Sequence, residues 1–326
     1  MIVFDNVSKT YPGGVEAVKG LNLEVQEGET LVLLGASGCG KTTTLKMVNR
    51  LIEPTGGVIR IRGEDIMAQD PIALRRSIGY AIQHIGLFPH MTVGENIAVV
   101  PRLLHWDAGR IRERVDALLE MVGLPPEEFR DRWPSQLSGG QSQRVGVARA
   151  LSADPPVILM DEPFGALDPI TREQLQSEFL ELESEIDKTI MLVTHDVFEA
   201  VKMGDRIALL DGGELQQLAT PAELVENPAN EFVDHFLGGH RFQLALLTRT
   251  VQTVMPSGPP PAEGAPAPEG PRLSVLHSLV EALDLFKREK RSTLPVFRRK
   301  EFQGWLKKGE LLKCIAGVLG ETGEET

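Results

Sequence analysis

The chain has 326 residues, of which 42% are hydrophobic and 25% are charged. This is an ordinary globular composition, with enough length for one large domain and a smaller one. The 34 Lys and Arg residues against 46 Asp and Glu residues give a net charge of −12, which disfavours non-specific attraction to nucleic acid phosphates. We therefore expect no nucleic acid partner.

The cysteine content and the hydropathy pattern bear on the location of the chain. Cys39 and Cys314 are the only cysteines, so we expect neither a disulfide framework nor a zinc-ligand cluster. Residues 1–6 lack the basic start and apolar run of a signal peptide. No stretch approaches the roughly 20 apolar residues that cross a bilayer. These features predict a cytoplasmic chain whose membrane association is peripheral.

Residues 1 to about 240 alternate short apolar runs with helical patterns, which predicts an α/β fold with a mainly parallel sheet covered by helices. The runs at 32–34, 157–160 and 190–193 are predicted buried strands. Residues of about 85–150 are predicted to form a helical subdomain. It includes a helix from about Ala108 that Asp107 caps.

Two later helix starts follow from capping patterns. Asp168 before Pro169 predicts a helix with Pro at its first position. Thr220 and Glu223 have the spacing of a capping box, with Pro221 between them.

The clearest chemical motif is a complete GxxxxGK[ST] between an apolar strand and a helical pattern, which is the context that a phosphate-binding loop requires. Glycines let backbone N–H groups turn toward phosphate, the lysine reaches the terminal phosphates and the threonine hydroxyl can bind Mg²⁺. Cys39 within it is interpreted as a small filler, not as a nucleophile. The predicted nucleotide-binding residues here are Gly35, Ala36, Ser37, Gly38, Cys39, Gly40, Lys41, Thr42 and the following Thr43.

A second motif lies where the predicted strand at 157–160 ends in two carboxylates. Strand ends of this kind form the crevice in which α/β sheets bind ligands. Asp161 is predicted to bind Mg²⁺, and Glu162 to polarise an attacking water. The alternative for Glu162 is a carboxylate that only caps the next turn.

A third motif, Leu137, Ser138, Gly139, Gly140 and Gln141, forms a second cradle for anions before a helix. Alone, it would be interpreted as a flexible loop or a helix cap. Because one ATP already has its own cradle, we predict that this one closes on the ATP of another protomer.

Taken together and in this order, the motifs resemble those of the nucleotide-binding subunits of ABC transporters, over nearly all of residues 1–240. The resemblance implies a P-loop NTPase fold of the ABC type with a helical subdomain, which binds ATP and Mg²⁺ in a homodimer. It also implies ATP hydrolysis, with Lys41 and Glu162 in the catalytic site.

The same resemblance assigns roles to five residues that would carry little meaning alone. Tyr11 matches the aromatic residue that stacks on adenine, and Val18 a neighbouring apolar contact. Gln83 matches the glutamine that approaches Mg²⁺ and water. Asp168 matches the loop that crosses the dimer interface, which is compatible with its role as a helix cap. His195 matches the histidine that contacts the γ-phosphate and orients the attacking water.

Residues 41–50 and 85–92 resemble the ATPases of importers for glycine betaine, carnitine and choline, which are quaternary amines. This resemblance implies transmembrane permease subunits and, indirectly, an extracellular or periplasmic substrate-binding protein. It places the chain peripherally on the cytoplasmic face of the cell membrane, the inner membrane where there are two.

Beyond about residue 240 the composition changes. Residues 256–271 are rich in Pro, Ala and Gly and are predicted to form a flexible insert. The stretches 246–254, 276–286, 294–296 and 304–312 resemble a single CBS motif, so residues 241–320 are predicted to form a small α+β regulatory region before an acidic tail at 321–326. Lys307 and Glu310 stand where nucleotide-binding CBS motifs have Ser or Thr and Asp, so adenine-nucleotide sensing is not expected.

Residues 272–313 carry a local charge of +6, from eleven Lys and Arg against five Asp and Glu. We weigh contact with anionic lipid headgroups against a merely solvated basic face. The residues concerned are Lys287, Arg288, Lys290, Arg291, Arg298, Arg299 and Lys300.

Two rival functions remain at this point. One is an importer ATPase for sugars, polyamines or inorganic anions, many of which append β-rich modules instead of a helical, basic tail. The other is an ABC ATPase of translation or DNA repair. A single cassette, the absence of heptad runs and the acidic balance disfavour the second rival.

Overall fold

The computed structural model describes residues 1–82, 86–165, 167–185, 188–255, 270–298 and 301–323. The chain divides into two compact units, Met1–Leu218 and Ala219–Thr326. The domain boundary near residue 240 that the sequence suggested stays a prediction, and so does the 321–326 tail.

The first unit contains both strands and helices. The strands are β1 (Ile2–Thr10), β2 (Glu16–Val25), β3 (Thr30–Leu34), β4 (Gly56–Ile61), β5 (Glu64–Asp65), β6 (Ile78–Ala81), β7 (Val157–Asp161), β8 (Thr189–Thr194), β9 (Arg206–Asp211) and β10 (Glu214–Ala219). The helices are α1 (Lys41–Val48), α2 (Pro71–Ser77), α3 (Val93–Ile97), α4 (Val99–Leu103), α5 (Ala108–Met121), α6 (Pro126–Phe129), α7 (Gly139–Leu151), α8 (Pro169–Glu185) and α9 (Val197–Met203).

The central sheet has the strand order β10-β9-β3-β8-β7-β6, and its strands from β9 to β6 pair in parallel. Every residue of β3, β7 and β8 is buried, which explains their continuous apolar sequences. The three strands predicted from the sequence are therefore confirmed. Leu34 pairs with Thr194 and Asp161 with Val193, so the residues that follow these strands emerge at one edge of the sheet.

A second sheet, which the sequence did not predict, has the order β2-β1-β4-β5 with antiparallel pairing. Its inner face, with Ile2, Phe4 and Ile59, joins the same apolar core as β3. Helices α3 to α7 lie between β6 and β7 along the chain, as expected for the helical subdomain.

The second unit is a small α+β region, as predicted. Its elements are α10 (Pro221–Glu226), α11 (Glu231–Leu237), α12 (Arg241–Thr248), α13 (Val251–Val254), β11 (Leu273–Ser274), α14 (Leu279–Glu289), β12 (Thr293–Arg298), β13 (Glu301–Lys307) and α15 (Lys308–Gly323). Strand β12 pairs in parallel with β11 and antiparallel with β13. Leu279, Phe286, Leu294, Val296 and Leu306 pack in its core and are fully buried. Most of the proline-rich insert lies outside the described residues.

The predicted helix starts are confirmed by their hydrogen bonds. Asp107 accepts from the backbone N–H of Gly109 at 2.8 Å, and Asp168 from that of Thr171 at 3.1 Å. Thr220 forms a capping box with Glu223. Within the described ranges, no helix combines the length and the apolarity that crossing a membrane requires.

Candidate nucleotide-binding site

The loop at residues 35–40 connects buried β3 to the first turn of α1. Gly40 caps α1 with a φ of +103°, a left-handed conformation that favours glycine. A Cβ atom at Gly40 would lie 2.3 Å from the carbonyl oxygen of Ala17, and one at Gly35 would lie 2.2 Å from that of Leu210. Glycine is therefore required at both positions, where the loop backbone approaches other backbone atoms closely. The loop forms a tight curve.

Lys41 is 5% exposed, and its ammonium lies inside this curve. Nζ donates to the carbonyl oxygens of Gly35 at 2.8 Å and Ala36 at 2.9 Å, and lies 3.8 Å from Sγ of Cys39. A buried ammonium surrounded by the loop backbone fits an anionic group such as phosphate.

Thr42 and Asp161 meet at the edge of the sheet. The Thr42 hydroxyl donates to Oδ1 of Asp161 at 2.9 Å, although 119 residues separate them in sequence. Burial raises the pKa of Asp161, and neighbouring Glu162 raises it further. A hydroxyl and a carboxylate are hard oxygen ligands, so this pair fits Mg²⁺.

Glu162 and His195 lie beside this pair. Oε1 of Glu162 is 3.3 Å from Nδ1 of His195, whose side chain is 61% exposed. Glu162 has a φ of +46°, and its N–H donates to the carbonyl of Val193 at 3.0 Å. A non-glycine residue with positive φ directly after a buried strand is strained, and such strain is concentrated at functional positions.

Tyr11 and Val18 approach the phosphate-binding loop from the antiparallel sheet. The Tyr11 hydroxyl lies 3.3 Å from Oγ1 of Thr43. Val18 is buried, and its Cγ2 lies 3.4 Å from where a Cβ on Gly40 would stand. The structure therefore brings both predicted adenine-side residues next to the loop.

Ser138 caps α7 in a reciprocal capping box with Gln141, as the helix-cap interpretation of this motif predicted. Ser138 and Gly139 are nevertheless exposed. The following Gly140 packs tightly, because a Cβ there would lie 3.0 Å from Cγ2 of Thr171. The motif therefore presents an open helix N-terminus to solvent, held in place by the start of α8.

Asp168 is exposed just before α8, and hydrogen bonds from Thr171 hold its pKa below the usual range. The predicted glutamine, Gln83, lies outside the described residues. The other predicted residues lie in two places. One group surrounds the loop at residues 35–40, and the other lies at the exposed starts of α7 and α8.

Sequence reasoning missed three residues that surround His195. Thr194 donates from its hydroxyl to Oε2 of buried Glu199 at 2.8 Å and accepts from the Asp196 N–H at 3.0 Å. Asp196 in turn caps α9 through Phe198 N at 2.9 Å. The Asp-x-x-Glu spacing at 196–199 resembles a helix start and was the signal available in the sequence.

The sequence pattern of the family described as ABC transporter matches residues 18–165. The glycine betaine uptake system ATP-binding protein YehX of Escherichia coli is 52% identical over 248 residues, which are 76% of this chain and 80% of that protein. This chain belongs to the ABC transporter ATP-binding family. Proteins of this family bind ATP with Mg²⁺, and the oxygens of Thr42 and Asp161 fit such an ion.

Two further comparisons support the assignment. The choline transport ATP-binding protein OpuBA of Bacillus subtilis is 57% identical over 241 residues, 74% of this ABC chain. The chain spans only 63% of that relative's length. A structure of the ATP-binding cassette MJ0796, a dimer in a post-hydrolysis state with ADP and Pi, has a TM-score of 0.61 at 36% identity, over 68% of this chain and 98% of that one.

Proposed function

We propose that this chain is the ATP-hydrolysing subunit of an ABC importer, working as a homodimer in which each ATP lies between two copies. The observation that carries the proposal is the arrangement of Lys41, Thr42, Asp161, Glu162 and His195 at one edge of the central sheet. The site therefore combines the buried ammonium of Lys41, the oxygen ligands of Thr42 and Asp161, and the carboxylate–imidazole pair of Glu162 and His195.

In this site each side chain has a defined task. Lys41 exchanges its contacts with the loop carbonyls for the terminal phosphate oxygens of ATP. Glu162 accepts a proton from the attacking water, while His195 holds that water in line with the γ-phosphate. Thr42 and Asp161, with Gln83, would hold Mg²⁺, which would supply positive charge to neutralise the phosphates.

The dimer is proposed because the chain has two anion cradles for each ATP. Ser138 and Gly139 are exposed at the start of α7, which is 13 residues long. Its N-terminal N–H groups and partial positive charge favour an anion. We assign this cradle to the ATP of a second copy, with Asp168 at the same interface. Tyr11 stacks on adenine, and Val18 packs beside it.

The proposed cargo is a quaternary amine such as glycine betaine, carnitine or choline. Support comes from relatives at 52–57% identity whose names state choline or glycine betaine transport. The chain would then act on the cytoplasmic face of the cell membrane, bound to permease subunits that receive cargo from an extracellular or periplasmic binding protein. The rival importer function has a weaker basis, since a spermidine/putrescine import protein of Thermobifida fusca is 44% identical.

ATP hydrolysis is tested with the purified full chain. Phosphate release should depend on Mg²⁺ and rise more than linearly with protein concentration, because only the dimer has complete sites. Cargo is tested by co-expressing the chain with permease subunits that co-purify with it from membranes and measuring uptake of radiolabelled glycine betaine, choline and spermidine. Uptake of spermidine alone would contradict the proposal of a quaternary amine cargo. Absence of ATP hydrolysis would contradict the proposed enzymatic activity.

For the second unit we propose a regulatory role as a single CBS-like motif with a lipid-facing basic surface. Lys290 and Arg291 are exposed at the end of α14, and Arg298 is exposed at the end of β12. Lys287 is paired with Asp284 at 3.7 Å and contributes less net charge. Glu310 accepts from the Lys307 N–H at 3.1 Å, so it caps α15 where an adenine-nucleotide contact would otherwise lie.

The lipid contact is tested by sedimenting the full chain with vesicles that contain anionic lipid, over a range of salt concentrations. Binding should weaken as salt rises, because exposed charges are screened. Charge reversal at Lys290, Arg291 and Arg298 should abolish this salt dependence. Unchanged binding would leave the basic surface as a solvated face.

A further inference from the structure

Arg172 lies near the start of α8 and contacts two loops. Its Nη2 donates to the carbonyl oxygen of Leu167 at 3.1 Å, and its Nη1 lies 3.8 Å from Oδ2 of Asp196. Leu167 directly precedes Asp168, and Asp196 directly follows His195. One guanidinium therefore joins the exposed loop before α8 to the loop that carries His195.

The Asp196 end of this link is firmly held. The other oxygen of Asp196, Oδ1, accepts from the N–H groups of Phe198 at 2.9 Å and Glu199 at 3.3 Å. The Asp196 N–H donates to the Thr194 hydroxyl at 3.0 Å, and that hydroxyl donates to Glu199. The backbone on both sides of His195 is thus fixed by side chains, so displacement of Asp196 displaces His195.

The Leu167 end of the link lies against α7. A Cβ on Gly139 would lie 4.0 Å from Cδ2 of Leu167, and one on Gly140 would lie 3.0 Å from Thr171. The exposed face of this segment is apolar as well as acidic, because Ile170 is 80% exposed. A surface that presents Ser138, Asp168 and Ile170 together would be displaced or immobilised by whatever covers it.

Two polar atoms at this link have no hydrogen-bond partner among the described residues. Nε of Arg172 and Oε1 of Glu199 are both buried, and neither has a hydrogen-bond partner among the described residues. The separation of 3.8 Å between Arg172 and Asp196 is also longer than the 2.7–2.9 Å of a closed charge-assisted hydrogen bond. A small shift of the guanidinium toward α9 would shorten the ion pair and bring Nε toward Glu199.

We propose that Arg172 is a positioning residue that places His195 when a second copy covers the exposed start of α8. This inference rests on the proposed ATP hydrolysis in a dimer. Contact at Asp168 and Ile170 shifts the Leu167 carbonyl, and Arg172 transmits the shift to Asp196. The His195 side chain then takes the position beside Glu162 in which it orients the attacking water. Hydrolysis is then confined to the covered site.

The test replaces Arg172 by Met, which keeps the aliphatic stem and removes the guanidinium. We expect kcat to fall between about tenfold and a hundredfold, the cost of a misplacement of about 1 Å, while KM changes less than about threefold. Arg172→Lys, which keeps the charge but cannot bridge both partners, should be intermediate. Asp196→Asn keeps the cap of α9, because Asn is an equally good capping residue, and should match the loss in Arg172→Met.

The link itself is tested by a double-mutant cycle. If Arg172 acts through Asp196, Arg172→Met with Asp196→Asn should cost no more than either change alone. Arg114→Met is the matched control, because Arg114 also donates to a backbone carbonyl, that of Leu151 at 2.9 Å, and pairs with Asp154 at 3.5 Å. It should retain wild-type kinetics. Additive losses, or a folded Arg172→Met with the kcat of the control, would overturn the proposal.

Amide hydrogen exchange separates this inference from the proposed function. If the wild-type chain hydrolyses no ATP, the proposed function fails. The link is then tested only by the rate of amide hydrogen exchange at residues 194–199. Faster exchange there in Arg172→Met but not in Arg114→Met supports the link, because the Asp196 contact restrains these amides. Equal exchange in both variants overturns it, and Arg172→Lys serves where Arg172→Met does not fold.

Discussion

Oε1 of Glu162 lies 3.3 Å from Nδ1 of His195, and the two residues follow neighbouring parallel strands of the central sheet. The contact depends on backbone geometry, because Glu162 is held at a φ of +46° while its N–H donates to the carbonyl of Val193. The carboxylate is thereby turned along the sheet edge toward the histidine. The carboxylate proposed as proton acceptor and the imidazole proposed to orient water are thus placed together, next to Asp161.

Replacing Glu162 by Gln should lower kcat by about a hundredfold to ten-thousandfold, the usual contribution of a general base. The amide keeps the size of the side chain but cannot accept the proton. The affinity for ATP should stay within about threefold of wild type, because ATP is held by other groups. Phosphate release and fluorescent-nucleotide binding measure the two quantities. A variant that keeps more than a tenth of the activity would show that Glu162 is not the base.

Replacing Gly40 by Ala should destabilise the chain and abolish nucleotide binding. The new Cβ would lie 2.3 Å from the Ala17 carbonyl oxygen, in a backbone conformation with φ of +103°. Gly63→Ala is the matched control, with φ of +82° and no atom within 4 Å of its Cβ. The control should lose only about 1–2 kcal/mol of stability, the cost of a left-handed backbone conformation, and keep its nucleotide affinity. Chemical denaturation and nucleotide titration measure both, and equal losses would show that the contact with Ala17 is unimportant.

Structural features that depend on a few neighbouring residues could be predicted from the sequence, whereas contacts between distant residues could not. The glycine-rich loop before α1, the buried strands and the capped helix starts were predicted because each depends on a local pattern of a few residues. The β1–β4 pairing that assembles the antiparallel sheet was missed because it joins residues far apart in the chain, such as Ile2 with Ile61. The contact of Arg172 with Asp196, 24 residues further on, was missed for the same reason. The positive φ of Glu162 was missed because glutamate rarely adopts it.

Glu199 should make the stability of the first unit depend on pH. Burial raises the pKa of Glu199 from 4.5 to about 7. As pH rises between these values, the unfolded chain has lost a proton that the folded chain keeps, so the free energy of unfolding falls. The decrease should be on the order of 3 kcal/mol, and it should be complete above the folded pKa.

Glu199→Gln isolates this contribution, because the amide stays neutral and can still accept from Thr194. Urea denaturation should give similar free energies of unfolding for the two proteins near pH 4.5, where the wild-type carboxyl is mostly protonated in the folded state. At about pH 8 the variant should be the more stable one. Parallel curves for the two proteins would contradict the assignment of the pH dependence to Glu199.

The proposed sharing of sites between two copies predicts complementation between two inactive variants. Lys41→Ala removes the ammonium from one cradle, and Ser138→Arg blocks the other with a bulky cation. Each variant alone should form only defective sites. In a mixed dimer, however, the intact loop of one copy faces the intact Ser138 of the other, which leaves one complete site. An equal mixture should therefore recover about a quarter of wild-type activity when copies exchange freely and sites act independently. Activity in the mixture that stays at the level of the separate variants would show that Lys41 and Ser138 act within one copy, and the exposed start of α7 would then need another partner.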